Sequence, residues 1–396
     1  MRFFTPLVAL VSCCAASASA AVSCTVIAAG AGLDNGPSLL SAVQACPTTI
    51  IPVGTTLNIS TRLNMTGLSN KEIKLQGTIR FNPNIPYWSG NGFTYPFQTQ
   101  VTFWQFGGSN LRIDGGGTLD GAGQAWYDAF KKNSSLLRPI LLTVYQAQNV
   151  VIESINMINS PEWFNFVNEG TGITYNLLNL SAVSTSKNPA KNTDGWDIYR
   201  SSSVTITNCN INNGDDCVAF KPNATNILVN NLSCNGSHGI SVGSLGQYPG
   251  VYDIVENVVA SNIRISNAEN GARIKAWAGK TVGSGIVKNI TFSTFNQTNN
   301  QNPVIIDQCY ETSASVCTQY PSNVYISDVS FDGMNGTSSK TTVASILCSP
   351  DNRCSDVAVN NFNLIPPVKK GAAKYACQNI ALTGNAASLF GTCATT

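Results

Sequence analysis

From about residue 110 onward the chain alternates short β-branched and apolar runs with stretches of Asn, Gly, Ser and Asp. Runs begin near residues 150, 173, 204, 227, 258, 286, 324 and 357, and many are soon followed by a second, as at 211, 263 and 329. The units recur every 23 to 38 residues, a period typical of repeat architectures. No stretch of this region keeps a 3.6-residue apolar period, so crossover helices are not expected. The polar stretches hold residues that tolerate left-handed corners. Short strands, tight corners and missing helices predict an all-β chain: a parallel β-helix, a single-stranded solenoid with apolar side chains stacked inside and Asn side chains laddered at its corners. A β-sandwich is the competing reading, but its two-residue hairpin signals are scarce. Segment 37–43, Pro-Ser-Leu-Leu-Ser-Ala-Val, is expected as the one helix, an N-terminal cap over the open end of the coil; an uncovered end strand would invite aggregation.

Residues 1–20 change the picture at the start. Arg2, an apolar run from 3 to 12 and Ala18-Ser19-Ala20 read as a secretory signal peptide, which leaves 21–396 as a single β-helix domain. No segment reaches the roughly 20 apolar residues of a membrane helix. Charged residues are only 11% and the net charge is +2, without basic runs. A clustered Lys/Arg face is therefore missing, and no nucleic-acid or membrane partner is expected. Ten Asn-x-Ser/Thr sequons fit a secreted, extracellular protein. So do the cysteines, whose spacing suggests Cys24/Cys46, Cys217/Cys234, Cys309/Cys317, Cys348/Cys354 and Cys377/Cys393 as disulfides, with Cys209 a buried thiol. No spacing suits zinc.

Four clusters carry candidate chemistry: Asn192-Thr193-Asp194, Gly214-Asp215-Asp216, Gly236-Ser237-His238-Gly239 and Arg273-Ile274-Lys275. Each alone has a plain structural explanation: a turn, an acidic loop tip, a satisfied histidine, a solvated strand face. Their register is what persuades. Asp194, Asp215 and His238 are separated by 21 and then 23 residues, one coil each, and adjacent strands lie about 4.8 Å apart. Arg273 and Lys275, two apart on a strand, point the same way. The expected result is an outward groove with acids in the middle and cations beside them. Glycoside hydrolysis needs one protonated and one ionised carboxyl, and crowded carboxylates split their proton affinities in that way. A guanidinium and an ammonium suit an anionic sugar.

In this order and spacing the four clusters resemble the signature of the polygalacturonase family of glycoside hydrolases, and the similarity extends over most of residues 21–396. The resemblance implies a right-handed β-helix and an inverting hydrolase of the α-1,4-linked galacturonan in pectin, with no metal or other cofactor. It implies that Asp215 is the general acid, that Asp194 and Asp216 position and deprotonate the water, and that His238 orients the acid. Arg273, Lys275 and Tyr310 would bind substrate, with Asn192 hydrogen-bonding nearby; a monomer is expected. Ser237 and the segment 241–248 resemble the exo-acting fungal members, which close one end of the groove. Two loops are candidates for that closure, 87–106 and the one after Tyr310. Endo-acting and xylogalacturonan-cleaving enzymes are the alternatives, and a non-catalytic pectin-binding β-helix is the alternative of another class.

Overall fold

The computed structural model describes residues 22–30 and 32–395; the expected signal peptide lies outside them. The chain winds as a right-handed parallel β-helix. Its strands stack in three columns, every pairing of the large sheet being parallel. One inward line of side chains shows why these residues make strands. Ile198, Phe220, Val242, Ile274, Ile306 and Ile346 are register partners on successive coils. All six are fully buried, and each such side chain contributes roughly 1.5–3 kcal/mol of burial free energy. The next position outward on the same strands reads Asp197, Ala219, Ser241, Arg273, Ile305 and Ser345. One strand thus supplies core on one face and chemistry on the other.

Corners follow the expected ladder. Asn70, Asn110 and Asn149 all adopt left-handed φ of 53–57°, and their amides bond in series, Asn149 to Asn110 at 3.2 Å and Asn110 to Asn70 at 3.0 Å. Many paired runs prove to be one long strand bent through such a corner, as in Ser284–Asn300, where Asn289 and Thr294 turn left-handed.

Helix α1, Gly36–Ala45, buries Leu39 and Val43 against the first coils and caps the N-terminal end. It is not the one helix, however. Among the described residues there are also α2, Ile85–Asn91, α3, Gln124–Lys132, and α4, Ala314–Gln319. These are too short for a periodic pattern to show. Local capping explains two of them: Asn84 accepts from the Tyr87 N–H and Ser313 from that of Val316. Burial of Trp126 and Tyr127 explains α3. All five expected disulfides form, and Cys209 is a free, buried thiol.

Candidate active site

The acids sit just before the strands of one column begin, ahead of Trp196–Tyr199 and Val218–Phe220. Trp196, Val218 and Ile240 are register partners, so one coil here is 22 residues. That places Asp194, Asp216 and His238 level with one another, rather than Asp194, Asp215 and His238 as the spacing had suggested. Asp215 joins them from a bend. A Cβ at Gly214 would come within 2.2 Å of the Ala190 carbonyl oxygen, so only glycine lets the two backbones pass so closely. The bend carries both Asp215 and Asp216 to the same side, with the Asp216 N–H donating to Asp215 Oδ1 at 2.8 Å.

One carboxylate oxygen from each of Asp194, Asp215 and Asp216 lies within 4.8 Å of the other two. Asp194 and Asp216 are buried, while Asp215 is partly open to the groove. His238 Nδ1 is 3.1 Å from Asp215 Oδ1, and Nε2 is 3.4 Å from Glu269. Asn192 Nδ2 donates to Asp215 Oδ2 at 3.3 Å. Lys275 Nζ donates to Asp216 Oδ2 at 2.7 Å and Ser241 Oγ to Asp216 Oδ1 at 2.7 Å. The Arg273 guanidinium and the Lys275 ammonium stand 5.1 and 5.3 Å from the centre of the Tyr310 ring. All eight residues singled out in the sequence therefore converge on one groove.

The three acids differ in environment. Burial, then the neighbouring Asp197 and Asp215 charges, push Asp194 well above the usual carboxylate range. Burial opposes ionisation of Asp216 too, but Lys275, Arg273 and Lys221 outweigh it and hold its carboxyl below that range. Asp194 thus favours the protonated form and Asp216 the anion. His238 is raised: burial lowers its basicity, but the Asp215 carboxylate more than compensates. With such close charges the proton belongs to the cluster more than to one residue.

Several residues at the site were not read from the sequence. Lys221, nearly buried, pairs with the fully buried Asp197 at 3.0 Å beneath the acids. A lysine ending the apolar run 218–220 was the available signal. Arg138, 2% exposed, donates to the carbonyls of Pro161 and Lys191 and to Asn192 Oδ1, which fixes the strand approach carrying Asn192. Gln98 and Gln100 arrive from segment 95–100, and with Glu162, Trp163, Lys221, Ser244 and the acids they line a cavity of about 190 Å³. Segment 95–100 is anchored: Phe97 stacks on Tyr199 at 4.0 Å, the Gln98 N–H donates to the Tyr248 hydroxyl and the Gln98 side chain to that of Gln247. Of the two loops expected to close the groove, this one reaches the cavity. Among the described residues beyond Tyr310, the other loop lines a separate hollow with Trp277 and Lys280 instead.

The chain is similar to known proteins over most of its length. The sequence profile described as Glycosyl hydrolases family 28 matches residues 44–388. An exopolygalacturonase of Cochliobolus carbonum is 44% identical over 374 residues, covering 90% of this chain and 83% of that one. A probable exopolygalacturonase X of Aspergillus fumigatus is 41% identical, covering 90% and 86%. Among solved structures, the endo-xylogalacturonan hydrolase of Aspergillus tubingensis superposes with a TM-score of 0.86 at 31% identity, over 95% of this chain and 99% of that one.

Proposed function

The chain belongs to glycosyl hydrolase family 28, and from that premise we propose a secreted exopolygalacturonase that removes galacturonate from the non-reducing end of pectic galacturonan. One observation carries the exo reading: a tethered segment, 95–100, is anchored on Tyr199, Gln247 and Tyr248 and brings Gln98 and Gln100 over the acids and Glu162 to line one pocket with them. The pocket's roughly 190 Å³ falls below the 300–1,000 Å³ typical of drug-sized ligand sites, which suits one sugar ring. The exopolygalacturonases to which the chain is 41–44% identical support the same reading.

In the proposed reaction Asp215, the acid most open to the groove, protonates the glycosidic oxygen while water attacks the anomeric carbon. Asp216, held ionised by Lys275, takes the water's proton, with Asp194 beside it sharing the water. Their mutual approach within 4.8 Å is shorter than the ~6.5–9.5 Å usual between acid and base of inverting enzymes, and spacing alone would favour retention. Membership in an inverting family weighs more heavily here. Proton NMR of early product decides it: β-galacturonate appearing first means inversion from the α-linkage. His238 orients Asp215, and Arg273, Lys275 and Tyr310 hold substrate carboxylate and ring.

Three clustered carboxylates could also hold a metal ion. The donor set suits it poorly, because an ammonium already occupies Asp216 Oδ2 and burial favours a protonated Asp194. The reading uses no metal, and EDTA should leave the rate unchanged. Residues 21–396 form the single catalytic unit of a monomer, in which helix α1 covers the first coil and the Cys377–Cys393 strap closes the last strand region. Residues 1–20 act as the secretion signal, in keeping with five disulfides.

The deciding experiment is a product time course on polygalacturonate. Monomer as the sole early product fits the proposal, whereas mixed oligomers sink exo action. The second reading, endo-cleavage of xylose-substituted galacturonan, is favoured by the fold match to the xylogalacturonan hydrolase and predicts faster cleavage of xylosylated substrate.

A further inference from the structure

The closed end of the pocket contains a carboxyl group that the hydrolytic steps leave unused. Glu162 follows the strand Asn156–Ile158 and precedes Asn165–Asn168. By the Asn165–Trp196 register it lies one coil before Thr193-Asp194, away from His238, Arg273 and Tyr310. Its carboxyl faces the Gln100 side chain and the Arg138 backbone N–H, and it lines the pocket with Gln98 and Trp163. The Arg138 guanidinium is close enough to attract the Glu162 carboxylate, yet burial outweighs that attraction, and its hydrogen bonds go to Pro161 O, Lys191 O and Asn192 Oδ1.

An acid is a poor companion for an anionic sugar unless it reads something other than the sugar's carboxylate. That carboxylate is left to the cations already assigned to substrate, of which Lys275 lines the same pocket. In an α-1,4-linked chain the group that distinguishes the terminal ring from every other is its free 4-hydroxyl. We propose that Glu162, presented by Gln100, is a specificity-determining residue that hydrogen-bonds this 4-hydroxyl and so restricts the enzyme to unmodified non-reducing ends. The proposal rests on the exo reading above. Burial supports it, pushing the Glu162 carboxyl up to about 7, so that at mildly acid pH it is neutral, can both donate and accept, and does not repel the substrate.

The test compares trigalacturonate with the trimer whose first ring carries a C4=C5 double bond and no 4-hydroxyl, as β-elimination leaves it. The wild type is expected to prefer the saturated trimer by at least ~100-fold in kcat/KM, because a site built to bond a hydroxyl rejects the analogue lacking it. In Glu162→Leu, which keeps bulk but removes both oxygens, the ratio should fall to within a few-fold of one. In Glu162→Gln it should fall several-fold, and this variant decides the matter if the leucine variant fails to fold in a melting experiment. A wild type that cleaves both trimers equally, or a ratio unmoved in the folded variant, overturns the assignment of Glu162. A wild type that releases no galacturonate from either trimer overturns the exo reading itself.

Discussion

Two corners of the same solenoid receive the same treatment from the fold and respond in opposite ways. At the corner through Asn70, Asn110 and Asn149, stacking puts like side chains above one another, and each amide donates to the next. At the corner through Asp194 and Asp216, with Asp215 beside them, stacking also brings like side chains together. A carboxylate cannot donate to another carboxylate. The repeat that satisfies asparagine therefore frustrates aspartate, and the frustration is relieved by a proton on one acid and by the Lys275 and Lys221 ammonium groups beside the others. Regular geometry is inert where the side chain carries both donor and acceptor, and reactive where it carries only acceptors.

The largest break in this comparison should come from making the reactive corner resemble the inert one. Asp215→Asn keeps shape and removes the transferable proton, so kcat is expected to fall by about 10²–10⁴-fold with little change in melting temperature, measured by reducing-sugar release and calorimetry. Lys221→Met removes the compensating charge and leaves Asp197 buried without its partner. A loss of roughly 3–5 kcal/mol in denaturant unfolding is expected, and a loss below 1 kcal/mol would contradict the pairing.

Protonation sharpens the contrast without mutation. Burial lifts Asp197 to about 7 despite Lys221, and Glu162 also to about 7. The folded state thus binds these protons more tightly than the unfolded chain, and the stability they contribute is lost as pH rises from about 4 through 7. Asp216, held low, contributes with the opposite sign and loses its share only on strong acidification. The melting temperature should be highest at mildly acid pH and decline toward pH 8; a steady rise from pH 5 to 8 would contradict these assignments. The smallest effect belongs to the inert corner. Asn149→Ala gives up one amide bond and a side chain suited to φ 57°, at a cost of about 1–2 kcal/mol and with galacturonate release unchanged.

These contrasts also mark what could be read from the sequence. The alternation of runs such as 204–211 carries the solenoid, because the core needs an apolar residue at one face of every coil, as at Ile198, Phe220 and Val242. Asp194, Asp215, Asp216, His238, Arg273 and Lys275 were visible because consecutive coils bring near-constant spacings together. The one-residue difference between the expected and observed partner of Asp194 came from counting to Asp215: the coil is 22 residues from Trp196 to Val218 and again to Ile240, which levels Asp194 with Asp216, and Asp215 joins them only through the bend at Gly214. Gln98, Gln100 and Glu162 were not visible for a related reason. Gln98 and Gln100 reach the site from a loop with no fixed offset from the acids, and Glu162 lies one coil before them across a 31-residue turn that does not match the 22-residue spacing of the acids. Arg138 and Lys221 look in sequence like ordinary cations, and only their burial reveals them.

The anchored segment 95–100 has one more consequence. A sugar cut from a polymer that entered from the open side lies behind the remaining chain, walled in by Gln98, Gln100 and Glu162. The shortened polymer then stands between this sugar and the open groove. A monosaccharide that leaves by the mouth through which the chain entered does so only after the polysaccharide has withdrawn, an arrangement that works against processive trimming along one molecule.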